Sequence, residues 1–222
     1  MNWLLVLFVA SIACNGEIID RVAVVLGNSV ITESEILREI RLTAFLNGAP
    51  LDFGAASKRK TAERLVEQHL IAAEAKSAAY PAPDPEGVEQ LFQTTRDRFP
   101  GAANFKAELD RAGIGENELK GHLSRQIATL SFLDYRFRPG IQINDDEIAK
   151  YFHERVEPAL KKAHPGRQFS VEDSRSQIEE ILINQRLDAA SDEWLKEARE
   201  RTRIEYRAEV FASEPARQEA VK

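Results

Sequence analysis

The chain has 222 residues, with 30 Lys plus Arg against 36 Asp plus Glu and a formal net charge of −6. That length suits one substantial domain or two small ones, and a hydrophobic fraction of 43% excludes wholesale disorder. The acidic balance is spread along the chain, so no basic stripe exists to neutralise phosphates and nucleic acid is excluded as a partner; the single cysteine, Cys14, excludes a disulfide framework and a Cys-rich zinc module.

Residues 3–14 form an apolar run broken only by Ser11. A run of about 12 residues is too short for a bilayer, which takes roughly 20, so no membrane span is expected. Its length suits the hydrophobic region of a secretory signal over residues 1–16, with Ser11 and Ala13 as small residues ahead of the cleavage point. A second reading makes Cys14 a lipidated N-terminus, and a third makes the run a buried strand or helix. Export would place the mature protein in the periplasm, where ATP and nicotinamide cofactors are scarce, and no cofactor is expected.

The next elements read as a hairpin and a series of helices. Val22–Leu26 and Ser29–Ile31 flank Gly27-Asn28, a pair that tolerates positive φ. Thr32 then caps a helix, with Glu35 as its capping-box partner and Gly48 as its stop. A second helix is predicted over 57–78, and Pro81, Pro83 and Pro85 end it. A third follows over 85–98. Asn104 caps a short fourth that Gly113 stops, and a fifth runs over 116–137 with the stripe Leu119, Leu123, Ile127, Leu130 and Leu133. Pro139-Gly140 is a joint. Asn144 and Glu147 open a helix over 145–163, which His164-Pro165-Gly166 breaks. Ser170 and Asp173 form a capping box for the last long helix, over 171–201.

Residues 203–207 alternate polar and apolar and read as a strand. A lone strand leaves backbone groups unpaired, so it is expected to return to the hairpin at 22–31 and close the chain on itself. The fold class is therefore mainly α, with a small antiparallel β element built from the N-terminal hairpin and a C-terminal strand. Residues 208–222 read as a flexible tail.

Chemistry-bearing patterns are sparse. His69, His122, His153 and His164 form no metal-ligand spacing, so no metal site is expected. His69 and His122 read as core or core-edge residues. Asp145-Asp146-Glu147 sits at a helix start, where first-turn amides stabilise negative charge. No phosphate-binding loop or nucleophile elbow appears, so no catalytic residue is assigned and the protein is expected not to be an enzyme. Six aromatics stand out: Phe92, Phe99 and Phe105 in mid-chain, and Phe132, Tyr135 and Phe137 closing the fifth helix. They either fill the core or line a cleft that receives apolar client side chains.

Six segments in order resemble the SurA-type periplasmic chaperones. These are Asp20 to Glu35 (DRVAVVLGNSVITESE), Arg64 to Ala75 (RLVEQHLIAAEA), Phe105 to Gly113 (FKAELDRAG), the helix from Leu119 to Arg136, Ile143 to Phe152 (INDDEIAKYF), and Trp194–Arg199 with Ile204–Arg207. The resemblance spans about residues 17–207. In that family parvulin isomerase domains lie between the fifth segment and the last helix. Here residues 137–170 hold only a joint region, so what the resemblance implies is the chaperone module without the isomerase. It implies ATP-independent binding of unfolded or partly folded envelope and outer-membrane polypeptides through an apolar cradle, with Phe92, Phe99, Phe105, Phe132, Tyr135 and Phe137 as its client-binding residues. Two other readings are an isomerase-related protein and a structural adaptor of an envelope assembly.

Overall fold

The computed structural model describes residues 20–212. The signal assignment over 1–16, the Cys14 reading and most of the tail lie outside the described residues. The fold is mainly helical with one small three-stranded antiparallel sheet.

β1 (Val22–Leu26) and β2 (Ser29–Thr32) form the hairpin, and the positive φ falls on Gly27, at +56°. The pairing runs Val24 to Ile31 and Leu26 to Ser29, with an irregularity between Val22 and Val24. That bulge turns both Ala23 and Val24 into the core, which strict alternation would forbid. β3 (Ile204–Tyr206) lies on the other edge of β1, antiparallel, with Val24 opposite Tyr206 and Leu26 opposite Ile204, giving the order β2-β1-β3. The two ends of the described chain therefore meet in one sheet.

α1 (Glu33–Asn47) starts at Thr32, whose hydroxyl accepts from the Glu35 N–H at 3.3 Å, and stops at Gly48 with φ +61°. α2 (Ala55–Ser77), α3 (Pro85–Arg96), α4 (Ala102–Ala112) and α5 (Glu116–Phe137) follow. Asn104 does not cap α4: it lies inside the first turn and donates from Nδ2 to the Pro100 carbonyl at 2.7 Å, while Gly101 at φ +92° takes the cap position. The helix predicted over 145–163 is interrupted. α6 (Asp145–Tyr151), opened by the reciprocal Asn144–Glu147 capping box, passes through a π-helical turn (Phe152–Val156) into α7 (Glu157–Ala163). Pro158 has no N–H for the Glu154 carbonyl, and the wider turn accommodates that gap. Ser170 and Asp173 form only half of the expected box: the Ser170 N–H donates to Asp173 Oδ2 at 3.4 Å, but the Ser170 hydroxyl accepts from the Glu172 N–H, and the pair opens a 3₁₀ turn (Glu172–Ser174) before α8 runs from Arg175 to Arg201. The segment read as a flexible tail begins with ordered structure: α9 (Ala208–Phe211) buries Val210 in the core.

The apolar interior is divided into three clusters. The first joins the sheet to α1, α2, the end of α5 and the end of α8, around Val24, Ile36, Leu65, Phe132 and Trp194. The second joins α1, α3, α4 and the start of α5, around Leu42, Phe92, Phe105 and Leu119. The third, around Ile148, Phe152 and Ile178, joins α6 and the π turn to the start of α8. Each of the long helices α5 and α8 serves two clusters, so the middle of α8 crosses a gap between them.

Candidate functional site

That gap is an open groove of about 660 Å³. From α5 it receives Leu130, Leu133, Asp134 and Tyr135; from α8 it receives Asn184, Leu187 and Asp188, which share one helical face by their spacing of three and four. Tyr80 also lines it. Its position follows from the way α2 stops. Ala79 adopts a left-handed conformation, φ +51°, so that its N–H reaches the Lys76 carbonyl and the Tyr80 N–H reaches that of Ala75. Tyr80 then packs edge-on against Phe132 (centroids 5.5 Å apart) and beside Tyr135 (5.2 Å).

Leu130 is 68% exposed and Tyr135 64% exposed, the two highest values among the large hydrophobic side chains described. Phe132, between them in sequence, is fully buried on the opposite side of α5. Asp134 and Asp188 both line the groove, one from each helix. Arg138 donates to Asp134 and, through Nη2 at 3.0 Å, to Glu180 of α8, tying the two helices together below the groove. The hydrogen bonds that Arg138 donates to Glu180 and Asp134 raise its own pKa, and the bond that Glu180 accepts from Arg138 lowers that of Glu180.

The six sequence-assigned aromatics do not form one cradle. Phe92, Phe105 and Phe132 are buried. Phe92 and Phe99 each pack edge-on to Phe105, at 5.7 and 5.4 Å, within the second cluster. Phe99 also stacks on Phe45 at 5.4 Å and borders a second hollow of about 310 Å³ with Arg41, Leu51 and Arg111. Phe137 is half-buried against Trp194. Only Tyr135 stands in the open groove. Of the two alternatives left open for these aromatics, Phe92, Phe105 and Phe132 take the core.

Tyr80, Leu130, Leu133, Asn184, Leu187 and Asp188 were missed as groove residues. A signal existed for Leu130. Leu130, Phe132 and Leu133 are too close in sequence to face one direction, since residues two apart on a helix point about 200° apart, so one of them had to leave the core.

A buried polar cluster is the other site-like feature. His122 on α5 is 3% exposed and its Nδ1 lies 3.0 Å from Glu39 Oε2 on α1. Arg64 on α2 is 3.6 Å from the same carboxylate and donates to Thr43. His122 Nε2 and Arg64 Nε are buried without a protein partner. The cluster knits three helices together. Among the described residues no group of three or more His, Cys, Asp or Glu side chains is arranged to hold a metal, and no helix is long and apolar enough to cross a membrane.

The groove and the closed sheet define a helical module with an open, partly apolar channel between two of its cores. Compared with known proteins, the sequence matches no family model and no curated protein.

Proposed function

We propose that the chain is an exported, ATP-independent chaperone-like module that holds unfolded or partly folded polypeptides, of the SurA type without its isomerase domain. The observation that carries this reading is the groove between α5 and α8: an exposed leucine and tyrosine, backed by Tyr80 and Leu187, in a channel open to solvent. Contact there is reversible, because side chains that stay half in water gain only part of the roughly 1.5–3 kcal/mol of full burial. Weak, spread contacts allow release without nucleotide hydrolysis. The pairing of β3 with β1 is the arrangement the resemblance implies and supports the same reading. The clients are envelope and outer-membrane polypeptides in transit through the periplasm, where a lipid on Cys14 would tether the module to a membrane.

Light scattering of an unfolded outer-membrane β-barrel protein tests this. Stoichiometric protein should suppress aggregation, and a Leu130→Ser/Tyr135→Ser variant, with an unchanged melting temperature, should not. Aggregation that proceeds unaltered beside the unmodified protein would overturn the assignment. A proline-peptide isomerisation assay should show no rate above background.

A further inference from the structure

The groove has a charge as well as an apolar lining. Its walls carry Asp134 from α5 and Asp188 from α8 and no cationic side chain. Asp134 is met by Arg138, but that guanidinium also serves Glu180, so the three groups together keep one negative charge. Among the described residues Asp188 has no cation within ion-pair reach, and its side chain takes no hydrogen bond. The remaining polar groups of the walls, Ser131, Asn184 and the tyrosine hydroxyls, are neutral. A partly apolar cleft of one sign concentrates field lines and favours the opposite charge.

Resting on the polypeptide-holding reading above, we propose that this groove selects its clients by charge: it takes unfolded segments in which a Lys or Arg neighbours a large apolar side chain, and it disfavours acidic segments. The apolar side chain would lie against Leu130, Tyr135 and Leu187. The long methylene stem of the cation would follow the same wall, with its head delivered to Asp188 at the rim. Such a contact is partly solvated, so its contribution is modest and salt-sensitive. Its value lies in discrimination, since a client glutamate at the same place meets the uncompensated Asp188 and an Asp134 whose Arg138 is already shared with Glu180.

Fluorescence anisotropy with three labelled peptides tests this. They share one pattern of Phe, Tyr and Leu and differ only in carrying Lys, Gln or Glu at two positions. The Lys peptide should bind about three- to fivefold more tightly than the Gln peptide, and the Glu peptide more weakly than either, with the spread shrinking in 0.5 M salt. Asp188→Asn should narrow the spread, and Asp188→Lys should reverse the order; the Asp188 side chain makes no contact on which folding depends. Equal affinities would overturn charge selection while leaving polypeptide holding in place. A Lys preference that persists unchanged in Asp188→Lys would place selection outside the groove and overturn it too. If none of the peptides binds but β-barrel aggregation is still suppressed, the groove is not the client site. If neither occurs, both readings fall.

Discussion

Truncation of Phe105 and of Tyr135 should have opposite consequences, although both are aromatics of the same sequence-assigned set. Phe105 is 1% exposed, and its ring lies 5.4–6.1 Å from those of Phe45, Phe92 and Phe99. Phe105→Ala removes the ring that three others surround and leaves a cavity they cannot all close. A cost of about 3–5 kcal/mol is expected. For a chain of this length each kcal/mol moves the melting temperature by about 2–4 °C, so a fall of about 6–20 °C follows. Tyr135→Ala removes mainly a solvent-exposed contact with Tyr80, and alanine's better helix propensity offsets part of it, leaving a change within about 1 kcal/mol. Differential scanning calorimetry and aggregation suppression should be measured on both. Phe105→Ala should melt early, whereas Tyr135→Ala should melt normally and hold clients less well. A Phe105→Ala protein that melts where the unmodified one does, or a Tyr135→Ala protein that falls further than Phe105→Ala, would refute the division into core and groove.

Ala79→Gly should stabilise the protein by about 1 kcal/mol, because a non-glycine residue pays that much to sit at φ +51°; an unchanged urea midpoint would show that the turn is unstrained. Glu39→Ala should cost about 1–3 kcal/mol in urea unfolding by stranding the buried His122 ring nitrogen, and the double variant Glu39→Met/His122→Leu should regain much of it; equal losses in the two would deny the coupling. Asp20 titrates below its ordinary value of 3.8, chiefly through its hydrogen bond from the Ser34 hydroxyl. A carboxylate with a depressed folded pKa contributes fully above the unfolded value and loses that contribution as the pH falls through the folded one. The stability gap between the unmodified protein and Ser34→Ala should therefore be constant above pH 3.8 and shrink below it; a gap that widens in acid would contradict the assignment.

The elements were legible where local chemistry decides them. Gly27, the Thr32 cap, Gly48 and the Asn144–Glu147 box mark boundaries by backbone conformation or by side-chain bonds to nearby amides, both of which are written in adjacent residues. The return of β3 to β1 was legible for a different reason: a strand needs a partner, and only one was on offer. The π turn was hidden because its cause, Pro158, acts on the carbonyl one turn back within an otherwise unbroken apolar pattern. The groove was hidden for a deeper reason. Leu130 and Phe132 are both apolar on the same helix, and which of them is covered depends on where α8 crosses, a fact of tertiary packing. His122 was placed near the core correctly, but its partner Glu39 stands on a distant helix, and no spacing rule connects them.

Because β1 is the central strand, its second row of amides and carbonyls stays unsatisfied until β3 arrives, with nearly the whole described chain between them. A ribosome would deliver the hairpin early and its neighbour late. In the interval the nascent protein carries an open strand edge, a feature prone to recruit other chains, and a closure of such long range is expected to form slowly. A protein proposed to guard unfinished polypeptides would itself spend its youth as one.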